Sequence, residues 1–145
     1  MILTLSISTA LIFLCVGIHY EALYRFSSVC KLLKIKGRLK VVAGTLWALL
    51  AHTLEVWLFA IGYYWLVNKT TGSLIVDPNQ ASYTDFMDMV YFSFISYTSL
   101  GYGDLVPSGA IRFMAGTEAL VGLVFIAWTA SFLYLKMEHN WKEAD

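Results

Sequence analysis

Seven residues between two apolar stretches, Thr98–Asp104 (TSLGYGD), form the segment of this sequence most suggestive of chemistry. Gly101 and Gly103 alternate with bulkier residues in it, and glycine adopts backbone conformations that a side chain disfavours. A chain needs glycine where its carbonyl groups must take such conformations. We therefore predict that backbone groups, rather than a set of reactive side chains, carry the function of this part of the chain, which is called the glycine segment below.

Ionisable side chains within apolar stretches form a second group of candidates. His52 and Glu55 are three residues apart and share one helix face, while His19 and Glu118 lie in two other apolar stretches. Ionisable groups are costly in lipid, so they usually face protein and pair with one another. Because histidine titrates near neutral pH and binds zinc, we hypothesise a proton or metal sensor built from His52 and Glu55, with Glu118 or His19 as further members. Structural hydrogen bonds between helices are the alternative.

The composition indicates a membrane protein. Of 145 residues, 59% are hydrophobic and 14% are charged, which leaves too little polar surface for an ordinary soluble domain. Ten basic and ten acidic residues cancel, and no basic run interleaved with aromatic residues occurs, so nucleic acid is not an expected partner. Cys15 and Cys30 provide neither a disulfide framework nor a CxxC zinc motif. The sequence offers no convincing pair of a nucleophile and a base, so an enzyme is not expected.

Three apolar segments are long enough to cross a bilayer, which takes about 20 helical residues. They are residues 2–24, 42–67 and 110–136. A fourth segment, residues 86–97, is too short to span and runs directly into the glycine segment, which is typical of a re-entrant helix. Ser82 or Thr84 is expected to cap this helix.

The basic residues indicate the orientation of these spans. By the positive-inside rule, the basic connection after the first span is cytoplasmic, so the N-terminus lies outside and the C-terminus is cytoplasmic. The connection over residues 68–83 holds only Lys69. A cleaved signal peptide is the alternative for residues 1–24, but they lack a basic start and a small-x-small cleavage site. The basic residues of the first connection are Arg25, Lys31, Lys34, Lys36, Arg38 and Lys40.

The stretch YFSFISYTSLGYGD, a following proline and the apolar stretch EALVGLVFIAW together resemble the pore domain of the potassium channel family. The resemblance is to its small bacterial two-helix members, covers about residues 42–137 and leaves the first span outside. It implies an all-α membrane protein with three transmembrane helices, a re-entrant pore helix and a selectivity filter, assembled as a four-fold tetramer in the bacterial inner membrane. The implied partners are the other copies of the chain in a homotetramer and the lipid bilayer.

The resemblance also implies an organisation for the chain. Residues 1–25 form a peripheral transmembrane helix, residues 26–41 a basic cytoplasmic linker, and residues 42–137 the pore domain. The pore domain comprises an outer helix (42–67), a pore helix (84–97), the filter (98–104) and an inner helix (110–136). A short cytoplasmic tail (138–145) follows, so no soluble regulatory domain is expected on this chain.

In that family, successive backbone carbonyl groups replace the water shell of a potassium ion. The resemblance therefore assigns the whole of Thr98–Asp104 to the filter and makes K⁺, as the transported ion, the expected ligand, with no organic cofactor. Asp104 lies at the outer mouth, and the Tyr102 ring is expected to point away from the axis. The residues implied to bind K⁺ through carbonyl oxygens are Ser99, Leu100, Gly101 and Tyr102, with the Ser99 hydroxyl closing the innermost site.

The last span is implied to line the inner pore. With Gly122 as a hinge, an apolar stripe follows at helical spacing, and an apolar constriction can close a pore by dewetting. Leu133 and Met137 are therefore candidate gate residues. Ordinary packing is the alternative for the stripe, and close packing of helices is the alternative for Gly122. The remaining stripe residues, expected to line the cavity, are Leu123, Ile126 and Ala130.

Two other functions stay open on the sequence. A nonselective cation channel usually replaces the filter tyrosine, whereas Tyr102 is present here. A nonconducting accessory subunit of a larger channel would tolerate damage to the glycine segment. Ile95 and Phe92 lie behind this segment, where some members of the family have a carboxylate or a tryptophan. We therefore expect the glycine segment to be supported mainly by apolar packing.

Overall fold

The computed structural model describes residues 1–32, 38–69, 74–76, 82–83 and 85–142. Three long helices, α1 (Ile2–Leu32), α2 (Arg38–Lys69) and α4 (Ile111–Lys142), are each apolar and long enough to cross a membrane. A shorter helix, α3 (Phe86–Tyr97), lies between α2 and α4 in the chain. The predicted all-α membrane fold is therefore confirmed, and the protein is a multi-pass membrane protein.

The helices extend into the segment predicted to be a basic linker. Residues 26–32 continue α1 and residues 38–41 begin α2, while residues 33–37 lie outside the described part of the chain. About 20 residues suffice to span the hydrocarbon core, so helices of 31 and 32 residues carry extra turns beyond it. Just before this extension, Arg25 Nε of α1 donates to Glu21 Oε1 at 2.6 Å in an exposed ion pair.

Helix α2 runs opposite to both other spans. His19 of α1 meets Glu55 of α2, and further along α1 the Ala22 carbonyl oxygen accepts a hydrogen bond from Trp47 Nε1 at 2.8 Å. The sequence numbers rise along one helix as they fall along the other, so α1 and α2 are antiparallel. Helix α4 is also antiparallel to α2, because Tyr63 of α2 contacts Glu118 and the earlier His52 contacts the later Thr129. Helices α1 and α4 therefore run in the same direction.

Small residues on α2 allow its close contact with α4. A Cβ added at Gly44 would lie 2.9 Å from Leu133 Cδ2, and one added at Gly62 would lie 2.6 Å from Met114 Cε. Both distances are shorter than a real Cβ makes, so a larger residue at either position would require the Leu133 or Met114 side chain to move. Gly44, Ala48 and Gly62 are all buried in the structure.

Helix α3 is capped by Asp85 and stops at mid-depth. The Asp85 carboxylate accepts a hydrogen bond from the Met87 N–H at 3.4 Å. This corrects the predicted caps, because Ser82 lies in a strand, and Thr84 lies outside the described residues. At its other end, the Tyr97 hydroxyl reaches Glu55, near the middle of α2. The helix therefore enters the membrane region halfway, as a re-entrant helix does.

A small sheet joins the connection before α3 to the chain after the glycine segment. Its strands are β1 (Leu74–Val76), β2 (Ser82–Tyr83) and β3 (Val106–Ser108), in the antiparallel order β2-β1-β3. Register pairs Val76 with Val106 and Val76 with Ser82. No strand was predicted here from the sequence. Because β3 follows Asp104 by one residue, the sheet holds the end of the glycine segment that is remote from α3.

Candidate functional site

The glycine segment has an alternating backbone. Ser99, Gly101 and Gly103 have φ values of 57°, 51° and 82°, whereas the residues between them do not have positive φ. A chain with left-handed residues at every second position can turn successive carbonyl oxygens to the same side, which an extended strand cannot do. The glycines at 101 and 103 provide this conformation without steric cost. Ser99 adopts it as well, which the sequence analysis did not predict.

The same segment completes the end of α3. Thr98 N–H donates to the Phe94 carbonyl at 3.1 Å, Ser99 N–H to Ser96 at 3.0 Å, and Gly101 N–H to Ile95 at 3.2 Å. The last carbonyl groups of a helix lack partners within it, and a left-handed residue is the usual way to end it. The Ser99 conformation thus terminates α3 and begins the alternation. These hydrogen bonds fix the start of the glycine segment to the helix.

A side-chain hydrogen bond fixes its far end. Tyr91, in the middle of α3, donates through its hydroxyl to Asp104 Oδ2 at 2.6 Å. This hydrogen bond to the Asp104 carboxylate raises the pKa of Tyr91 to about 12. Asp104 was predicted at the outer mouth, but its partner Tyr91 was not predicted from the sequence. The signal was faint, because the two residues are 13 positions apart and in different kinds of structure.

The side chains of the glycine segment find little cover within one chain. Tyr102 is 68% exposed and Leu100 is 55% exposed. A groove of about 360 Å³ lies between α3, α4 and the other face of the glycine segment, where Ser99, Gly101 and Gly103 line it. The ring of Tyr102 is therefore available for contacts outside its own chain. Phe92, Ile95, Ala115 and Ala119 are among the apolar residues that line the groove.

Behind α3 lies a buried carboxylate. Glu118 is fully buried and accepts a hydrogen bond from the Tyr63 hydroxyl at 2.5 Å, while its other oxygen lies 2.5 Å from the Ser93 hydroxyl. Ser93 also lies 2.7 Å from the Val56 carbonyl oxygen. These contacts join α2, α3 and α4. Glu118 is thus separate from His52 and Glu55, so the structure does not bring it into the predicted sensor.

A second buried network includes the other three residues of the predicted sensor. His19 Nδ1 lies 2.9 Å from Glu55 Oε1, and Glu55 Oε2 accepts from the Tyr97 hydroxyl at 2.5 Å. Tyr97 also lies 2.8 Å from His52 Nδ1. Both remaining imidazole nitrogens reach Thr129 Oγ1, at 3.1 Å from His52 and 3.2 Å from His19. The five side chains close a ring, called the histidine ring below.

These two networks correct the expectation that support behind the glycine segment comes mainly from apolar packing. Phe92 and Ile95 are indeed buried, and Phe92 packs edge-on against Tyr63. Yet α3 is also held by hydrogen bonds through Ser93 and Tyr97 to carboxylates of its neighbours. The carboxylates come from α2 and α4 rather than from α3 itself, so inspection of α3 alone could not find them.

Gly122 lies against the end of α3. A Cβ added there would collide with the Tyr97 carbonyl group, which is backbone and cannot move aside alone. This contact therefore favours close packing of helices, the predicted alternative to a hinge, as the role of Gly122. The contact places the middle of α4 directly beside the residue that precedes the glycine segment.

The predicted apolar stripe of α4 divides into two parts. Leu123, Ile126 and Ala130 are exposed in a single chain, so this face of α4 is open to other molecules. Met137 and Leu133 are partly buried, and Leu133 packs toward Gly44 of α2. That contact favours a packing role for Leu133 over the predicted gate.

Comparison with known proteins extends this description. A family model described as "Ion channel" matches residues 51–138, a range that includes α3, the glycine segment and most of α2 and α4. Protein LctB of Bacillus caldotenax is 31% identical over 111 residues, which is 74% of this chain and 83% of that protein. No solved structure matches the chain.

Proposed function

We propose that this chain, which belongs to the ion channel family, forms a potassium-selective pore from four identical copies. The observation that carries the proposal is the alternating backbone of Ser99, Gly101 and Gly103 at the end of a re-entrant helix. This backbone suits a column of carbonyl oxygens, and such columns select K⁺ in potassium channels.

The proposed chemistry is the exchange of water for carbonyl oxygen. A K⁺ ion that enters the glycine segment would lose its hydration shell to rings of carbonyl groups, and adjacent sites would pass it on by ion–ion repulsion. The Ser99 hydroxyl would close the innermost site and Asp104 would stand at the outer mouth. The carbonyl ligands would come from Ser99, Leu100, Gly101 and Tyr102, with Thr98 and Gly103 completing the filter.

Four copies are proposed because one chain holds one glycine segment, which supplies a quarter of each carbonyl ring. The exposed faces agree with this assembly. Leu100 and Tyr102 are exposed in one chain, so neighbouring copies would cover them. Tyr102 would then brace the filter against surrounding helices rather than face the axis.

Helix α3 would assist the ion electrostatically. The C-terminal end of a helix carries partial negative charge, and α3 ends at Tyr97, immediately before the glycine segment. With four copies, four such ends would converge below the filter and stabilise a cation there. The buried contacts of Tyr97 and Ser93 would hold these ends in place.

Helix α4 would line the inner part of the pore. Leu123, Ile126 and Ala130 lie on the face that the single chain leaves exposed, which suits cavity lining. Met137 remains the proposed constriction, while Gly122 and Leu133 serve packing. By the positive-inside rule, the glycine segment would face outward and both Met137 and the C-terminus would face the cytoplasm, in a bacterial inner membrane.

The test is ion flux from proteoliposomes that hold the purified full chain. We expect K⁺ to leave loaded vesicles rapidly and Na⁺ to leave slowly, with Rb⁺ close to K⁺. Equal K⁺ and Na⁺ flux would indicate a nonselective channel, and no flux of either would favour an accessory subunit. Native mass measurement of the same sample checks the tetramer, and a conducting dimer would refute it.

A further inference from the structure

The histidine ring holds two imidazoles and one carboxylate in a buried space between α1 and α2. We infer that His19, His52 and Glu55 bind a divalent transition metal ion of the Zn²⁺ class. Their ligand atoms all lie within 4.8 Å of one another. His19 and Glu55 are fully buried, and the His52 side chain is 16% exposed. Imidazole and carboxylate are ligands that Zn²⁺ prefers in sites with three protein ligands.

The distances suit a tetrahedral ion. Bonds of about 2.0–2.2 Å place neighbouring ligand atoms of a tetrahedral zinc site roughly 3.3–3.5 Å apart. His19 Nδ1 and Glu55 Oε1 are 2.9 Å apart, and His52 Nδ1 and Glu55 Oε2 are 3.3 Å apart. Two of the three ligand pairs thus lie near tetrahedral spacing, and side-chain rotation would have to bring the two imidazoles, whose ligand atoms lie within 4.8 Å, to the same spacing.

Thr129 orients both imidazoles for this role. Its hydroxyl oxygen contacts Nε2 of His52 at 3.1 Å and Nε2 of His19 at 3.2 Å. A hydroxyl oxygen has two lone pairs and can accept from both N–H groups at once. Each imidazole would then present an unprotonated Nδ1 toward Glu55, as a metal ligand requires. A ligating histidine is usually held in place by a hydrogen bond from the second nitrogen of its imidazole.

Hydrogen counting also indicates a cation. Five hydrogen-bond contacts close the ring. With Glu55 ionised, both histidines neutral and Thr129 accepting twice, only the two imidazoles and the Tyr97 hydroxyl supply a hydrogen to these contacts. Two contacts would then lack a hydrogen, and the histidine ring would carry a buried negative charge, which is costly. A metal ion between the two Nδ1 atoms and Glu55 removes both problems.

Two neighbouring groups define the limits of the site. The Tyr97 hydroxyl adjoins both Glu55 and His52, so it stands where a fourth ligand would bind. Glu118 is excluded, because its oxygens are engaged by Tyr63 and Ser93. This inference concerns binding alone, and it does not depend on the proposed conduction of K⁺.

The probe is Co²⁺ added to the purified full chain in detergent. We expect one bound Co²⁺ per chain with the strong visible absorption of a tetrahedral site, no thiolate charge-transfer band from Cys15 or Cys30, and displacement by Zn²⁺. Zn²⁺ should also raise the unfolding temperature, because a ligand of the folded state stabilises it. Absence of Co²⁺ binding to the folded chain would overturn the inference and leave the ring to hold a proton only.

Variants assign the ligands. His52→Gln and Glu55→Gln should weaken Co²⁺ binding by more than about 100-fold, beyond the effect of an outer-shell change. Thr129→Val keeps all three ligands and should weaken binding by about 10–100-fold. His139→Ala, which changes the remaining histidine of the chain, is the control and should bind like the wild type. Loss of binding in His139→Ala, or unchanged binding in His52→Gln and Glu55→Gln, would refute the site, and unchanged binding in Thr129→Val would refute the orienting role of Thr129.

Discussion

Gly122 of α4 lies directly against the backbone carbonyl of Tyr97, the last residue of α3. A Cβ at this position would also lie 3.1 Å from Cδ1 of the Tyr97 ring. The middle of one membrane-spanning helix thus touches the end of the re-entrant helix with no side chain between them. This contact makes the position of the glycine segment depend on a residue that is 18 positions beyond its end.

Replacing Gly122 by Ala should therefore displace the end of α3. Overpacking against backbone costs about 1–3 kcal/mol, so we expect a lower unfolding temperature and reduced K⁺ flux. Gly116→Ala is the matched control on the same helix, because a Cβ there meets no atom within 4 Å. The two variants are compared by thermal unfolding in detergent and by vesicle flux. Equal behaviour would show that the contact has no role.

Gly101→Ala should abolish selective flux while the fold survives. A Cβ at Gly101 meets nothing within 4 Å, so the penalty arises from its φ of 51° and not from a collision. A left-handed conformation costs an L-residue about 1–2 kcal/mol, and relaxation of the backbone would turn a carbonyl group away. Tyr102→Phe keeps the backbone and should be mild. Normal K⁺ over Na⁺ flux in Gly101→Ala would disprove the filter assignment.

Tyr63→Phe should destabilise the protein through Glu118. The substitution removes the donor of a 2.5 Å hydrogen bond to a fully buried carboxylate, and an unpaired buried group costs about 1–3 kcal/mol. Tyr64→Phe is the control, because Tyr64 is 42% exposed and packs edge-on against Phe86 through its ring. Thermal unfolding in detergent should separate the two variants. If both unfold at the wild-type temperature, Tyr63 does not support Glu118.

Tyr91→Phe should loosen the far end of the glycine segment. Hydrogen exchange at the amides of Gly103 and Asp104 should be faster in the variant than in the wild type. The pKa of Tyr91 rises from 10.0 to about 12, so the donating hydroxyl persists below pH 10 and is lost as pH rises through about 12. The ratio of exchange rates should thus stay constant between about pH 6 and about pH 9. A ratio near one would show that the tether is weak.

Long apolar runs made the helices predictable from the sequence. Residues 2–24, 42–67 and 110–136 lie within α1, α2 and, but for its first residue, α4, and residues 86–97 match α3. Length and hydropathy decide such elements locally. Strands of two and three residues carry no comparable signal, because their stability comes from pairing between Val76 and Val106, 30 positions apart.

The site was predictable only where its chemistry is local. Gly101 and Gly103 indicated an unusual backbone conformation in the sequence. The positive φ of Ser99, in contrast, arises from its position at the end of α3. His52 and Glu55 were recognised as a pair from their spacing. Of the two histidines, the one closer to Glu55 is His19, 36 positions away on another helix, and only packing brings them together.

The pairing of His19 with Glu55 bears on how the chain enters a membrane during synthesis. Glu55 lies near the middle of α2, and a charged residue at the centre of an inserting helix costs about 3 kcal/mol. Helix α1 is synthesised before α2, so we expect its imidazole to be available when the carboxylate inserts, and the two are 2.9 Å apart in the folded chain. We expect His19→Ala to lower the insertion efficiency of α2 in ribosome-bound chains, with His139→Ala unchanged. In that case α1 and α2 enter the bilayer together, as a hairpin, and α1 serves the biogenesis of the channel as well as its architecture.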